Sequence, residues 1–459
     1  TSHLGLTTGD RVAILAENSL EHFVLFSAAQ KTGIILVPLN FRLTAREIDF
    51  LLTDSKSAAV VVENKFLSTL QECQSFSRLK VIELEALAKE LEAQMNFTHP
   101  PYPVPEITPD HPIFILYTSG TTGFPKGALY THQMLFWNSV NTTLRLDITS
   151  EDRTITCLPL FHTGGWNVLS TPFLHRGAFF VLTRQFDPDT ILQLFDSESI
   201  TMFMAVPTML KMMAASDEFE KSSLKTLRFF IVGGEAMPLP LIEQWHRKGV
   251  PIRQGYGLTE VGPNITSLHQ DDAARKMGSI GVPNFYVDVK IVDDEGKEVS
   301  PGEVGELWLK GPMTTPGYWN NPEATAESLT EGWFHTGDLV RQDEEGFLYV
   351  VDRKKNMYIS GGENVYPAEV EKFLFTHPAV ADVAVIGVPD EKWGEVGKAF
   401  VVLKSGTKLT AEELIRFCQG NLAKFKIPKY VEFVEELPKG DTGKIDRKRL
   451  RARELSREN

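Results

Sequence analysis

The chain has 459 residues, of which 42% are hydrophobic and 23% charged, and its formal net charge is −13. This length exceeds what one compact core fills, so we expect two or more domains, and the acidic balance argues against a general nucleic-acid binder. No apolar run approaches the roughly 18 residues that span a bilayer, and no segment has the pattern of a signal peptide. We therefore predict a cytoplasmic protein and, because the first residue is Thr1 rather than Met, a fragment of a longer chain.

The charge is unevenly spread along the chain. Residues 353–459 contain 20 basic and 16 acidic side chains, a net of +4, whereas residues 1–352 carry −17. The basic part is rich in Val, Ile and Phe, which indicates a folded module that meets small anionic ligands rather than a nucleic-acid tail. The three cysteines, Cys73, Cys157 and Cys418, are too far apart for a zinc site or a disulfide framework, so we expect buried thiols.

The N-terminal half alternates short apolar runs with helical patterns. Strands are predicted at 11–15, 33–38 and 58–62 and a helix at 20–30, and the same rhythm returns with strands at 201–206, 227–232 and 251–254. Strands that alternate with helices predict parallel, doubly wound α/β sheets. The Pro-rich stretch 100–109 is predicted to be a connector.

The sequence pattern changes after residue 278. Short strands and turns, as at 287–292 and 305–309, predict a small β-barrel or an antiparallel sheet over 278–352. Beyond residue 353 the pattern is α+β, with helices at 367–375 and 410–422 and strands at 380–387 and 398–403. The predicted fold class is α/β: a large N-terminal domain, 1–354, of doubly wound α/β subdomains plus the small barrel, and a small α+β C-terminal domain, 355–459.

A glycine- and hydroxyl-rich segment, Tyr117-Thr-Ser-Gly-Thr-Thr-Gly-Phe-Pro-Lys-Gly127, follows the apolar run 113–116. Glycines let backbone N–H groups close on phosphate oxygens, the hydroxyls add donors, and Lys126 adds charge. The segment is not a Walker A loop, because Pro125 stands where that loop needs glycine. It is not a nucleophile elbow either, because Tyr117 occupies the first glycine position. We predict a phosphate-binding loop of another kind.

Two further blocks suit a nucleotide. In Gln254-Gly-Tyr-Gly-Leu-Thr-Glu260, the glycine-flanked Tyr256 can stack on a flat ring and Glu260 offers a hard oxygen ligand to Mg²⁺. In Thr336-Gly-Asp338, a carboxylate can accept the two hydroxyl hydrogen bonds of a ribose. Taken alone, each block has a simpler explanation: Tyr256 as a core aromatic residue, Glu260 as a solvated carboxylate, and Thr336-Gly-Asp338 as an ordinary turn.

Together the blocks resemble the adenylate-forming superfamily of acyl-CoA synthetases, luciferases and peptide-synthetase adenylation domains. The resemblance covers essentially the whole chain, and the chain is most similar to bacterial fatty-acyl-CoA synthetases. It implies ATP, Mg²⁺ and coenzyme A as ligands, a small-molecule carboxylic acid as substrate, and a mobile C-terminal domain that rotates about a hinge at Lys355. It does not determine the oligomeric state, for which a homodimer is one option. It also does not determine whether the protein makes a peripheral contact with a membrane.

The resemblance also implies a nucleotide site. The residues expected to bind ATP or AMP are Thr118, Ser119, Gly120, Thr121, Thr122, Gly123, Lys126, Gly233, Gly234, Glu235, Ala236, Gln254, Gly255, Tyr256, Gly257, Thr259, Asp338, Val350, Arg353 and Lys444.

Catalytic and coenzyme roles are likewise implied by the resemblance. Lys444, in Asp441-Thr-Gly-Lys-Ile-Asp446, matches the catalytic lysine, whose ammonium neutralises the oxyanions that converge as the carboxylate attacks the α-phosphorus. Thr118 and Glu260 are the expected magnesium ligands and, with His162, further catalytic residues. Gly361 and Gly362 are expected to let backbone approach the thiol of coenzyme A closely.

The acyl site is expected to be apolar. Its implied residues are His162, Trp166, Ala205, Val206, Gly257, Val261 and Gly262. Relatives that activate amino acids carry an acidic residue where Phe161-His162 stands here, so an α-amino acid is disfavoured. We predict a medium- or long-chain fatty acid, with Gly262 leaving depth for the chain, although core packing explains these apolar residues equally well.

Other functions share these motifs. The alternatives are an aryl-acid CoA ligase, a stand-alone adenylating enzyme that loads a carrier-protein thiol, a luciferase-like oxygenase, and a non-catalytic nucleotide sensor. The presence of Lys444, Glu260 and Asp338 argues against the sensor.

Overall fold

The computed structural model describes residues 5–94, 104–118, 125–235, 237–440 and 444–455. The chain forms two compact units: Thr1–Met237, Leu241–Val289 and Trp308–His335 make the first, and Pro238–Pro240, Lys290–Leu307 and Thr336–Asn459 make the second. The domain boundary that the motifs place near residues 353–355 stays a prediction.

The first sheet has six strands in the order β4-β3-β1-β2-β5-β6, all parallel except the β5–β6 pair. Its strands are β1 (Arg11–Leu15), β2 (Ile35–Pro38), β3 (Ala59–Val62), β4 (Lys80–Glu83), β5 (Pro112–Thr118) and β6 (Lys126–Thr131). The helices of this region are α1 (Leu20–Thr32), α2 (Ala45–Asp54), α3 (Leu67–Gln71), α4 (Leu84–Gln94) and α5 (His132–Leu146).

The alternation within β1 shows why this sheet is covered on both faces. Val12 and Ile14 join a core cluster that includes Phe23 of α1, whereas Ala13 and Leu15 join another cluster that includes Ile48 of α2. Successive strand side chains point to opposite faces, so a strand that is apolar throughout must be buried on both. The doubly wound arrangement predicted from the sequence is confirmed.

The next region contains a parallel two-stranded sheet and a five-stranded sheet in the order β13-β12-β11-β10-β9, parallel from β9 to β11 and antiparallel beyond. The strands are β7 (Arg153–Thr156), β8 (Phe179–Leu182), β9 (Met202–Ala205), β10 (Phe229–Val232), β11 (Ile252–Tyr256), β12 (Thr266–Ser267) and β13 (Val282–Pro283). The helices are α6 (Ser170–Arg176), α7 (Pro188–Ser197), α8 (Pro207–Ala214), α9 (Glu218–Lys221) and α10 (Leu239–Arg247).

The region predicted as a barrel or antiparallel sheet forms a five-stranded sheet in the order β14-β15-β17-β16, with β18 paired to β17. Its elements are β14 (Asp288–Val292), β15 (Val304–Lys310), α11 (Pro322–Ser328), β16 (Leu329–Thr330), β17 (Trp333–Gln342) and β18 (Leu348–Arg353). The pairs β16–β17 and β17–β18 are antiparallel.

The C-terminal region contains a sheet in the order β20-β19-β22-β21, with β23 parallel to β22. Its elements are β19 (Tyr358–Ser360), β20 (Glu363–Val365), α12 (Pro367–Leu374), β21 (Val380–Asp390), β22 (Gly394–Leu403), α13 (Ala411–Cys418), β23 (Tyr430–Phe433) and α14 (Arg447–Leu455). Helix α13 is shorter than the predicted 410–422. Thr410 and Glu413 form a capping box at its start, and Gly420, with φ of 79°, lies in the turn just after its end.

The structure also bears on the cysteines and on membrane-spanning segments. Cys73, Cys157 and Cys418 are buried free thiols, and burial raises the pKa of Cys157 to about 12. None of the described helices is long and apolar enough to cross a bilayer.

Candidate active site

Thr118 and Glu260 meet in the first unit. Thr118 ends β5, and Glu260 lies in a short 3-10 turn, Thr259–Val261, that follows β11. The Thr118 hydroxyl donates to Glu260 Oε1 at 3.2 Å, and Glu260 is only 7% exposed. The structure therefore brings together the hydroxyl and the carboxylate that the sequence assigns to magnesium.

Tyr318 is the third member of this cluster and was not predicted from the sequence. Its hydroxyl donates to Glu260 Oε1 at 3.0 Å, and Lys126 Nζ lies 5.4 Å from the centroid of its ring. Burial, followed by the charge of Glu260, raises the pKa of Tyr318, so the phenol stays a neutral donor. The available signal was a tyrosine directly after Gly317, the same glycine-flanked pattern that drew attention to Tyr256.

The two described ends of the phosphate loop face each other. Thr118 of β5 is paired in register with Lys126 of β6, and Gly127 follows where a Cβ would lie 2.7 Å from Ile115 Cγ2. Glycine is therefore needed there for packing. The predicted residues Ser119, Gly120, Thr121, Thr122 and Gly123 lie outside the described residues, as does Ala236.

The segments predicted to border adenine are neighbours. Strands β10 and β11 pair in parallel with Val232 opposite Gln254, and a Cβ on Gly233 would lie 3.3 Å from the Gly255 carbonyl oxygen. Gly234 has φ of 84°, which favours glycine. Glu235 follows it directly.

The turn after β11 also needs a glycine. A Cβ on Gly257 would lie 1.4 Å from the Pro263 carbonyl oxygen, so no other residue fits this backbone. Tyr256 and Thr259 are half-buried, whereas Gln254 is buried. The glycines thus fix the path that brings Tyr256, Thr259 and Glu260 to the end of the sheet.

Trp166 is a core residue in this structure. It is fully buried, its indole N–H donates to the Leu160 carbonyl at 2.5 Å, and its ring packs 5.1 Å from both Phe23 and Phe114. Its role as an acyl contact stays a prediction. His162, by contrast, is half-buried and lies 4.4 Å, ring to ring, from Phe161.

The space that a side chain at Gly262 would occupy is filled. A Cβ there would lie 2.9 Å from Met313 Cγ and 3.2 Å from Asn138 Oδ1, and φ is 116°. Its carbonyl accepts a hydrogen bond from Tyr130 at 2.7 Å. Glycine is therefore needed here for close packing, and the depth expected for an acyl chain stays a prediction. The remaining acyl residues Ala205 and Val261 are buried, and Val206 is half-buried.

Within the second unit, the residues predicted to hold ribose lie together. Asp338 of β17 is opposite Arg353 of β18, and Arg353 Nε lies 2.9 Å from Asp338 Oδ1. Asp338 is 3% exposed, and its backbone N–H donates to the Thr336 hydroxyl. Val350, on the same strand as Arg353, is 39% exposed, and its contact with the nucleotide stays a prediction.

The predicted hinge follows directly after β18. Lys355 is exposed, and its carbonyl accepts a hydrogen bond from Arg451 at 3.2 Å. Partial desolvation, together with the neighbouring cations Arg353 and Lys448, lowers the pKa of Lys355. The predicted thiol-site glycines, Gly361 and Gly362, have φ of 61° and 89° in the β19–β20 turn.

Lys444 lies next to an anchored stretch of backbone. The Gly440 N–H donates to the Lys444 carbonyl at 2.8 Å, and Lys439 and Ile445 form an antiparallel bridge. Arg447 then donates twice to the half-buried Glu371 carboxylate, at 2.6 and 2.7 Å. The exposed Lys444 side chain is therefore carried on a firmly held base.

Comparison with known proteins matches both parts of the chain to one family. The AMP-binding enzyme model matches residues 1–319, and the AMP-binding enzyme C-terminal domain model matches residues 369–444. The chain belongs to the AMP-binding enzyme family. The family resemblance and the fold class predicted from the sequence are both confirmed.

Relatives of this AMP-binding enzyme are CoA ligases with different acids. It is 40% identical to a feruloyl-CoA synthase of an Amycolatopsis species, over 98% of this chain and 90% of that protein. It is 38% identical to a long-chain-fatty-acid–CoA ligase of Mycobacterium tuberculosis, over 96% and 88%. A solved structure of o-succinylbenzoate coenzyme A synthetase from Bacillus subtilis, in complex with ATP and magnesium ion, matches with a TM-score of 0.87 and 34% identity, covering 98% of this chain and 91% of that one.

The Thr118–Glu260 cluster fits a magnesium ion. The described residues contain no group of three or more His, Cys, Asp or Glu side chains that could hold a metal. Magnesium in phosphate-transfer sites commonly takes only one or two carboxylates, with substrate phosphates and water completing its shell. One buried carboxylate beside a threonine hydroxyl matches that mode of binding.

Proposed function

We propose that this AMP-binding enzyme is an acid–CoA ligase that forms acyl-CoA, AMP and pyrophosphate through an acyl-adenylate. The observation that carries the proposal is the Thr118–Glu260–Tyr318 cluster beside Lys126, at the end of the phosphate loop. The family match over both domains and the CoA ligases among the relatives support it.

In the first half-reaction an oxygen of the substrate carboxylate bonds to the α-phosphorus of ATP, and the bond from that phosphorus to pyrophosphate breaks. Bound magnesium would supply charge neutralisation of the phosphates. Thr118 and Glu260 would hold that ion, Tyr318 would fix the Glu260 carboxylate by its hydrogen bond, and Lys444 would offset the negative charge that builds up. Asp338 would accept hydrogen bonds from the ribose hydroxyls while Arg353 orients its carboxylate.

In the second half-reaction the sulfur of coenzyme A, after losing its proton, attacks the acyl carbonyl and AMP leaves. We propose that Gly361 and Gly362 border the thiol, since a turn without side chains lets a ligand approach the backbone. We also propose that Lys355 is the position about which residues 355–459 reorient between the two steps.

The acid is proposed to be unaminated, and an aryl acid is the first candidate. Two observations favour it over the fatty acid that the sequence suggested. Gly262 is packed against Met313 and Asn138 rather than opening a deep channel, and two of the three relatives described above are named for acids with an aromatic ring. A medium- or long-chain fatty acid is the second candidate, because the long-chain-fatty-acid–CoA ligase is nearly as similar.

A substrate panel separates these candidates. Pyrophosphate release would be measured with fatty acids of graded length and with benzoic, phenylacetic and cinnamic acids, in the presence of ATP and CoA. An aryl-acid ligase shows a sharp optimum for one ring arrangement. A fatty-acid ligase gains in kcat/KM with each added methylene, because each contributes about 0.8 kcal/mol when buried. Turnover of acid without free acyl-CoA would favour loading of a carrier protein.

A further inference from the structure

The C-terminal end of helix α2 carries an acidic residue, Asp54, that contacts the first residue of the phosphate loop. Asp54 Oδ2 accepts a hydrogen bond from the Tyr117 hydroxyl at 2.6 Å, and both residues are half-buried. A carboxylate at the C-terminus of a helix is locally unfavourable, because the helix dipole is negative there. The position of Asp54 is therefore better explained by its contact with Tyr117 than by the stability of the helix.

The same helix end also binds a second segment. The indole N–H of Trp319 donates to the Asp54 carbonyl at 3.0 Å, which satisfies one of the carbonyls that a helix leaves without an internal partner at its end. Trp319 and Tyr117 both pack against the core cluster that includes Leu51 and Leu52 of α2. Asp54 thus contacts two segments that lie far apart in the chain, one through its side chain and the other through its backbone.

The two residues that contact Asp54 are chain neighbours of two members of the magnesium cluster. Tyr117 precedes Thr118 on β5, and Trp319 follows Tyr318, whose backbone is bridged to β6. Neighbouring side chains of an extended chain point to opposite faces of a sheet. Thr118 and Tyr318 accordingly donate to Glu260, whereas Tyr117 and Trp319 donate to the end of α2.

We propose that Asp54 is a positioning residue for the first half-reaction. It holds the end of β5 through Tyr117 and so sets where the Thr118 hydroxyl lies relative to Glu260. Loss of the Asp54 carboxylate releases the phenol and lets the end of β5 shift, which displaces the hydroxyl at the metal position. Small displacements of groups that position reactants lower rates by up to about 100-fold. This inference rests on the proposed function, because the cluster affects a rate only if magnesium and ATP bind there.

The first test removes either side of the hydrogen bond between Asp54 and Tyr117. Asp54→Ala and Tyr117→Phe should each lower kcat for acid-dependent pyrophosphate release by about 10-fold and raise the magnesium concentration for half-maximal rate. Asp54→Asn keeps an oxygen that accepts from the phenol, so its kcat should stay within about threefold of that of the unaltered protein. An unchanged magnesium requirement in either Asp54→Ala or Tyr117→Phe overturns the inference.

The second test shows whether the two residues act as a unit. In a double-mutant cycle, Asp54→Ala in the Tyr117→Phe background should cause little further loss of kcat, because the hydrogen bond is already absent. Losses that add in the double variant would mean that Asp54 does not act through Tyr117, and they would contradict the assignment.

Asp49→Ala is the matched control. Asp49 is another half-buried carboxylate of α2, and its Oδ1 accepts a hydrogen bond from the Ser75 N–H at 2.8 Å. Both alanine variants lose one hydrogen bond of the same helix, but only Asp54→Ala should change the magnesium requirement. An equal change in Asp49→Ala would assign the effect to a general loss of stability and overturn the inference.

Two further results have a fixed meaning. If Asp54→Ala does not fold by circular dichroism, Tyr117→Phe, which deletes a single hydroxyl, decides alone. Absence of pyrophosphate release by the unaltered protein with any acid would count against the proposed function, whereas normal release with an unaltered magnesium dependence in the variants would count against the role of Asp54 only.

Discussion

Thr118 and Glu260, 142 positions apart in the chain, are joined by a hydrogen bond of 3.2 Å from the threonine hydroxyl to the carboxylate. The contact connects the end of β5 to the turn after β11, and it places a hydroxyl and a buried carboxylate where the phosphate loop begins. Each residue alone would be unremarkable. Their proximity fits the magnesium site that we propose.

Glu260→Gln should lower the adenylation rate by about 10²- to 10³-fold, because the amide keeps the shape but loses the charge that attracts the metal. The magnesium concentration for half-maximal rate should also rise. The measurement is acid-dependent pyrophosphate release over a magnesium titration. Thr118→Ser, which keeps the hydroxyl, is the control and should stay within about threefold of the unaltered protein. An unchanged magnesium requirement in Glu260→Gln would show that this carboxylate holds no metal.

Lys444→Ala should nearly abolish adenylation, since the converging oxyanions lose a mobile ammonium. Transfer from supplied acyl-AMP to CoA should suffer much less. The two half-reactions would be assayed separately, by pyrophosphate release and by thioester formation. Lys439→Ala is the control and should leave both steps intact, because Lys439 is bridged to Ile445, next to Lys444, and its side chain is 46% exposed. Equal loss of both half-reactions in Lys444→Ala would refute the assignment.

Lys355→Pro should impair thioester formation more than adenylation, which is the reverse of the effect expected for Lys444→Ala. Proline fixes φ near −65° and removes the N–H, which hinders the backbone change a hinge requires. Adenylation should survive far better than thioester formation. Lys355→Ala removes the charge but keeps backbone freedom, so it separates the two causes and should retain both steps. Normal thioester synthesis in the proline variant means that the hinge lies elsewhere.

His22 should make the stability depend on pH. It is 2% exposed beside Trp166, and burial lowers its pKa to about 4. Between that value and the ordinary 6.5 the unfolded chain binds the proton and the folded chain does not, so stability falls as the pH drops from 6.5 to 4. The total loss is about 3 kcal/mol. Urea unfolding of His22→Gln should show a correspondingly flatter pH profile, whereas His269→Gln, at a side chain 40% exposed, should not. An identical slope in both variants would assign the dependence to other groups.

The local sequence was sufficient to predict most of the secondary-structure elements and part of the candidate site. The segment 11–15 predicted a buried strand, and the motifs that contain Thr118, Tyr256 and Glu260 resembled those of the family that the comparisons then matched. Tyr318 was missed because its contact with Glu260 joins segments 58 positions apart, and a tyrosine after a glycine does not by itself indicate that contact. The acyl roles of Trp166 and Gly262 stay predictions, because an apolar residue or a glycine gives the same sequence signal in a core and beside a pocket.

We propose that the chain converts an acid, ATP and CoA into acyl-CoA, AMP and pyrophosphate. The most direct measurement is a product analysis, by chromatography and mass spectrometry, of a reaction containing ATP, magnesium, CoA and the best acid from the substrate panel. We predict AMP, pyrophosphate and acyl-CoA in equal amounts, and acyl-AMP alone when CoA is omitted. Formation of ADP and phosphate, or of AMP without any acyl-CoA, would contradict the account.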